Sequence, residues 1–296
     1  TLTCFETTSP DETLGRCQQA EVVITNKVLI TAETFSECPN LKLVLVSATG
    51  VNCVDLEAAK AHGVPVCNVA GYSSDCVAQH AFALLLNLVS NVHRYTAEAN
   101  QWPNSPIFTR LDHPVIELSG RTLGIVGLGD IGSAVATIAL AFGMKVQVLA
   151  REGSSNSRLP DLPRVDRETF FASSDVISLH CPQTADNTHL IAADTLGLMK
   201  PDAFLINTSR GPLVDEDALA QALRNSSIAG AGLDVLSVEP PPADHPLLAD
   251  DLLDSGRLLI TPHTAWTSRE ARQRLLAGVT SNLQAFLNGS STNRVA

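Results

Sequence analysis

No stretch of this chain constrains the fold more than residues 122–132, TLGIVGLGDIG. Aliphatic, strand-forming residues run straight into Gly127-Leu-Gly129-Asp-Ile-Gly132, and an Ala-rich pattern of helical spacing follows at once. A strand that becomes a helix within a few glycine-rich residues is the opening unit of a parallel α/β sheet, because parallel neighbours need a crossover helix. The alternation continues. Apolar, strand-like runs recur at 122–127, 145–150, 176–180, 203–207, 228–235 and 258–261, with helical patterns between them. Joined by right-handed crossovers, these runs predict a doubly wound parallel sheet. Aromatic residues make up only 4% of the chain while Ala and Val abound, which suits helices packed on such a sheet.

Residues 1–75 read as a second, smaller α/β unit, with strand-like runs at 22–25, 43–47 and 64–69. A mostly apolar helical pattern from Asp75 to about Tyr95 predicts a buried helix. A polar loop at 100–114 follows. Residues 269–287 have the period of a final amphipathic helix, expected to fold back on the first unit. The expected organisation is a discontinuous domain of residues 1–91 plus 265–296 and a second domain of residues 92–264, with a cleft between them.

Charge and composition exclude several classes of partner. Formal net charge is −11 and no basic run of five or more residues occurs, so nucleic acid is not an expected partner. No stretch reaches the roughly 18 apolar residues of a membrane span. The longest candidate, 134–150, is broken by Lys145 and Gln147. The seven cysteines (Cys4, Cys17, Cys38, Cys53, Cys67, Cys76 and Cys181) are scattered, odd in number and without C-x-x-C. They point to reduced thiols in a cytoplasmic protein, not to a disulfide framework or a zinc site, and no metal is expected. The chain begins at Thr1 rather than Met and shows no signal-peptide pattern, as expected of a trimmed product.

The residues with chemistry to offer stand where strands end, and open parallel sheets bind ligands outside the carboxyl ends of their strands. Arg210, Glu239 and His263 each lie just past an apolar run, so all three are expected on that edge. Arg210 presents a planar fork of donors that matches a carboxylate. An acidic chain needs such a local cation to hold an anionic substrate. A carboxylate beside an imidazole favours its protonated form. His263 paired with Glu239 can therefore give a proton to a carbonyl oxygen and take it back in reverse. His80 and His180 are read instead as core histidines.

The glycines divide a different task. Gly127 permits the tight turn, Gly129 lets a pyrophosphate approach backbone N–H groups, and Gly132 lets helix pack on strand. The helix amino terminus adds its positive end. Asp234, after Gly-Ala-Gly-Leu, has two open roles: accepting from a nicotinamide carboxamide, or capping a turn. Ala150 stands at the strand end where NAD sites place an acid, and Arg151, helped by Arg158, could pair a 2′-phosphate. Glu152 turning inward to the hydroxyl is the competing reading. A nicotinamide-dependent oxidoreductase of small 2-oxo or 2-hydroxy acids follows, with NADP or NAD as cofactor and NADPH acceptance favoured.

Several ordered motifs carry a family resemblance: ATGVNCVD at 48–55, the segment 72–84, the glycine run, HCPQ at 180–183, NTSRG at 207–211, GLDVLSVE at 232–239 and PHTAW at 262–266. Over essentially its whole length the sequence resembles the D-isomer-specific 2-hydroxyacid dehydrogenases. The resemblance implies an α/β architecture of two Rossmann-like or flavodoxin-like domains, doubly wound parallel sheets with an active-site cleft between them. It implies Arg210, Glu239 and His263 as the catalytic set. Substrate contacts are implied at Thr49, Gly50, Arg210 and His263, with backbone donors from Thr49-Gly50 reaching the substrate carboxylate. Residues matching Val77, Asp130, Ile131, Cys181, Pro182, Thr208, Asp234 and Ala265 line the cofactor in that family. With Gly127, Gly129, Gly132, Ala150, Arg151, Arg210 and His263 they make up the expected cofactor-binding set.

Within the family, ATGVNCVDLEAA, NVAGYSSDCVAQH and PHTAW look most like the branch acting on glycerate and hydroxypyruvate. Glu239 in place of Gln argues against formate, and Thr49 in place of a basic residue argues against phosphite. A homodimer through the nucleotide domains is implied by the resemblance. The loop 100–114, with Trp102 or Phe108, either reaches a neighbouring subunit's site or is a surface loop anchored by one Trp. A different class, a dinucleotide-sensing binding protein resembling the family's corepressors, is the alternative.

Overall fold

Two units divide the chain in the computed structural model, Thr1–Ser73 with Thr267–Ala296 (unit 1) and Ser74–Trp266 (unit 2). The structure describes residues 1–150 and 159–296. Arg151, Glu152 and Arg158, on which the expectation about a 2′-phosphate rests, lie outside the described residues.

In unit 1 the expected strands form as β1 (Val22–Thr25), β2 (Leu43–Val46) and β3 (Val66–Cys67). They pair in parallel in the order β1-β2-β3. Every residue of β2 is buried, as befits a central parallel strand. The helix Leu56–Ala61 starts at Asp55, whose carboxylate accepts the Ala58 N–H at 2.9 Å. It stops where Gly63 takes a left-handed φ of +68°. The last helix, Arg269–Leu287, does return to this unit. Its Asn282, only 1% exposed, donates to the Asn68 carbonyl at 2.8 Å, and Arg274 donates to the Tyr72 carbonyl at 2.7 Å.

Unit 2 holds β4 (Thr122–Val126), β5 (Lys145–Leu149), β6 (Arg164–Val165), β7 (Val176–Leu179), β8 (Phe204–Asn207), β9 (Gly230–Leu233) and β10 (Leu258–Ile260). All pairings are parallel, in the order β10-β9-β8-β7-β4-β5-β6. The alternation in the sequence marks six of these; β6, two residues long, is too short to register as a period. From β4 the chain steps outward through β5 and β6, then restarts at β7 on the other side. Strand order therefore reverses between β4 and β7, and the crevice above that switch point is where such sheets take ligands.

Both sheet faces are covered. Phe170, Phe171, Ile191 and Leu219 belong to one buried cluster, and Leu85, Leu88, Val135 and Ala139 to another. The helix Ser74–Ser90 packs on the helix Asp130–Ala141 and over β9. β9 makes room for it, since a Cβ at Gly232 would stand 2.9 Å from the Leu84 Cβ. Through this packing the helix falls in unit 2, whereas the sequence reading drew its first domain through residue 91. The second division lies at 266/267, beside the expected 264/265.

Candidate active site

Three neighbouring strands of unit 2 deliver the three polar residues singled out from sequence. β8 leads to Arg210, β9 to Glu239 and β10 to His263, and the registers Asn207↔Leu233 and Leu233↔Ile260 align these strand ends. The Glu239 carboxylate accepts from two sides: the Leu236 N–H reaches Oε1 at 3.1 Å, and His263 Nδ1 lies 2.7 Å from Oε2. Side-chain exposures of 27% for His263 and 34% for Glu239 leave the pair open to a reactant. His263 Nε2 has no hydrogen-bond partner among the described residues.

His263 also has φ +53°, uncommon for a residue with a side chain, and such strain persists only where neighbours over-determine it. The neighbours here converge on Asp234, which is 1% exposed. Its carbonyl accepts the His263 N–H at 2.8 Å. Its carboxylate accepts Thr264 N at 2.9 Å, Ala265 N at 2.8 Å and Thr261 Oγ1 at 2.5 Å. Burial would push this carboxyl up. Hydrogen bonds from His80, Thr261 and the amides of Ala265 and Thr264 outweigh burial and hold it below the ordinary carboxylate range. Of its two open roles, turn capping is the one these contacts display.

His80 is not the simple core histidine read from the sequence. Its Nε2 meets Thr261 Oγ1 at 2.8 Å and stands 3.4 Å from Asp234 Oδ1, so it braces the turn that carries His263. Sequence reasoning missed this because the partner lies 181 residues away.

Arg210 ends a turn organised by Asn207, which is fully buried. Asn207 accepts the Ser209 N–H at 3.0 Å and donates to the Arg210 carbonyl at 2.9 Å. The guanidinium donates to the Ser209 carbonyl at 2.7 Å, and no carboxylate pairs with it among the described residues. Gly211 is pressed against the next loop: a Cβ there would stand 1.9 Å from Leu236 C and 2.2 Å from Ser237 N. The Arg210 turn and the Glu239 loop are in backbone contact.

On the switch-point side, Gly127 has φ +92°, and a Cβ would meet the His180 carbonyl oxygen at 2.7 Å and Cys181 N at 2.8 Å. Gly132 is equally tight, with a Cβ only 2.1 Å from the Gly127 oxygen. At Gly129 a Cβ would meet nothing within 4 Å. The turn is therefore packed from below and open at its middle glycine. The helix Asp130–Ala141 begins at Gly129 with no side-chain cap hydrogen bond, and its positive amino-terminal end suits an anionic ligand. Nearby at the end of β8, Thr208 Oγ1 is buried with no hydrogen-bond partner among the described residues. An open glycine face, a helix start without a side-chain cap and an orphaned hydroxyl fit a dinucleotide.

The remaining expected contacts are distributed as follows. Ile131 and Asp130 start the helix after Gly129, and Val77 is buried on the helix Ser74–Ser90. The Cys181 carbonyl accepts from Ser209 Oγ at 2.5 Å, and the Pro182 carbonyl accepts from Asn187 Nδ2 at 2.8 Å. Ala150 is exposed beyond β5, its N–H bonded to the Val165 carbonyl. Ala265 is buried against Asp234. Thr49 and Gly50 belong to unit 1, where Thr49 Oγ1 donates to the Val69 carbonyl at 3.1 Å and its own carbonyl accepts from Asn68 at 2.7 Å.

Comparison with known proteins is consistent along the whole chain. Residues 82–265 match the family model described as D-isomer specific 2-hydroxyacid dehydrogenase, NAD binding domain. A glycerate dehydrogenase of Methylorubrum extorquens is 41% identical, over 98% of this chain and 90% of that protein. A hydroxypyruvate reductase of Blautia hydrogenotrophica is 39% identical, over 97% and 88%. The solved D-lactate dehydrogenase of Aquifex aeolicus, in complex with NAD and lactic acid, superposes with a TM-score of 0.84 at 32% identity, covering 93% of this chain and 85% of that one.

Proposed function

Because this chain belongs to the D-isomer-specific 2-hydroxyacid dehydrogenase family, we propose that it interconverts small 2-oxo acids and D-2-hydroxy acids with a nicotinamide dinucleotide. Hydroxypyruvate with D-glycerate, and glyoxylate with glycolate, are the substrate pairs that its relatives' names support best. Bound nicotinamide supplies the hydride in reduction and accepts it in oxidation. Every other task falls to side chains and amides of the protein.

The observation that carries this reading is the 2.7 Å contact between His263 Nδ1 and Glu239. It fixes a proton on Nδ1, so Nε2 is the nitrogen that gives and takes the reacting proton. In reduction, His263 protonates the carbonyl oxygen as carbon is reduced; in oxidation it removes the hydroxyl proton. Arg210, unpaired with any carboxylate among the described residues, is the cation for the substrate carboxylate and can also polarise the adjacent carbonyl. The turn at Gly127–Gly132 and Thr208 would hold the dinucleotide.

Spectrophotometric oxidation of NAD(P)H with a panel of 2-oxo acids tests the proposal, and hydroxypyruvate and glyoxylate should turn over fastest. No decay with any acid would end the enzyme reading in favour of a dinucleotide sensor. We also propose that NADPH is accepted, since Ala150 removes the acid that would repel a 2′-phosphate. Comparing kcat/KM for NADH and NADPH checks it, and a strong preference for NADH would retire it. A homodimer is proposed as well. Phe108 (90% exposed), Leu111 (80%) and Trp102 (56%) give the 100–114 loop an apolar surface that a second subunit would cover. Light scattering at dilute concentration reads the mass directly. We also propose a reducing compartment, on the scattered, odd-numbered cysteines without a paired spacing.

A further inference from the structure

A second imidazole–carboxylate pair lies beneath the Glu239 loop, and nothing in the reaction uses it. Glu216 begins the helix Glu216–Arg224, and His245 sits past the prolines that follow Glu239. Their side chains are 10% and 6% exposed, and His245 Nε2 lies 3.1 Å from Glu216 Oε2. The same carboxylate accepts Ser237 N at 2.7 Å through Oε1 and the Ser237 hydroxyl through Oε2. His245 Nδ1 accepts the Leu247 N–H at 3.3 Å. With Nδ1 accepting that bond, Nε2 is the nitrogen left to donate to Glu216.

The geometry has a direction. Glu216 grips both ends of the 237–245 loop, at Ser237 and at His245. The Leu236–Ser237 peptide so held is the one pressed against Gly211, next to Arg210. The preceding amide, Leu236 N–H, is the donor that orients Glu239 Oε1, and Glu239 Oε2 meets His263. A prolyl loop without this clamp would be free to carry Glu239 away from the imidazole.

We propose that Glu216 and His245 are positioning residues for the proton-transfer pair, acting through Glu239 and touching no reacting atom. This rests on the reading of His263–Glu239 given above. A displacement of a catalytic group by about 1 Å can cost on the order of a hundredfold in rate, so a partial release of the loop should cost about tenfold.

The test is a double-mutant cycle on kcat with the intact enzyme, using wild type, Glu216→Gln, Glu239→Gln and the double variant. Glu216→Gln should lower kcat about tenfold alone but less than about twofold in the Glu239→Gln background, with the Kd for NADH unchanged, because its effect passes through Glu239. A purely structural role would give the same factor in both backgrounds, and that result overturns the proposal; so does no loss in either. If Glu216→Gln does not fold, Ser237→Ala and His245→Phe replace it in the cycle and are read the same way. His245→Gln, which keeps an N–H near the Nε2 position, should restore most of the activity that His245→Phe loses. Wild-type inactivity toward every 2-oxo acid would instead sink the functional reading, a result distinct from an additive cycle in an active enzyme.

Discussion

Two histidines close strands of the same parallel sheet, His180 after β7 and His263 after β10, and their surroundings are opposite. His263 shares a proton with a carboxylate, keeps one ring nitrogen open and is part-exposed. Among the described residues His180 has no carboxylate partner: Nε2 meets the Ser178 hydroxyl at 2.8 Å, and Nδ1 is buried without a hydrogen-bond partner. Burial pushes the His180 ring down to about 3, so it is neutral at any working pH. Residue type and strand-end position are therefore not enough to make an acid catalyst. What distinguishes the two is a negative neighbour and an open face.

The largest effect should separate them directly. His263→Ala is expected to lower kcat by about 10²–10⁴-fold, the usual contribution of a general acid, while the Kd for NADH stays close to wild type. His180→Gln should leave kcat in the wild-type range. Stopped-flow or steady-state reduction of hydroxypyruvate reads both, and comparable losses at the two positions would erase the distinction. Next in size is the support beneath His263. Asp234→Ala strands the amides of Thr264 and Ala265. Unsatisfied buried donors cost about 1–3 kcal/mol each, so a loss on the order of 3 kcal/mol is expected. At about 2–4 °C per kcal/mol, Tm should fall by about 6–12 °C. A calorimetric shift below about 2 °C would mean that the turn holds its left-handed φ without Asp234.

His180 carries a smaller, pH-dependent effect whose sign follows from burial. Unfolded, the ring binds a proton near 6.5; folded, it does so only near 3. Between these values the unfolded chain binds more protons, so stability falls as pH drops. From pH 7 to pH 5 this amounts to at most about 2 kcal/mol. Urea unfolding at both pH values should show that decline in the wild type and a shallower one in His180→Gln. Identical slopes would mean that the ring already titrates freely in the folded protein.

Much of this contrast was legible before the fold was known, and the illegible part has a common cause. The parallel sheet of unit 2 follows from local periodicity and the glycine run, because strand, turn and helix are each specified within about ten residues. Arg210 and His263 stand three residues past their strands, so the edge they share could be read from the sequence. β6 escaped because two residues hold no period. The contacts of the helix Ser74–Ser90 group it with unit 2, whereas the sequence draws the boundary at residue 91, because its seat on β9 depends on glycines at 230 and 232, far along the chain. The contacts of His80 with Thr261, and of His245 with Glu216 29 residues away, are equally nonlocal. Pattern reading finds residues that face a ligand because strand ends mark them; it does not find those that hold such residues in place.

The smallest predicted effect concerns the cofactor edge between the two histidines. Thr208 follows β8, the strand beside β7, and its buried hydroxyl has no partner among the described residues. A polar atom in that condition destabilises the protein that carries it, unless a ligand supplies the missing bond. Thr208→Val keeps the shape and removes the hydroxyl. Stability without cofactor should hold or rise slightly, whereas the Kd for the dinucleotide should increase about fivefold, the equivalent of one hydrogen bond worth about 1 kcal/mol. Titration calorimetry with NADH and NADPH measures the second quantity and thermal unfolding the first. Unchanged affinity for both dinucleotides would show that the hydroxyl faces protein only, and Thr208 would then stand with His180 on the closed side of the contrast.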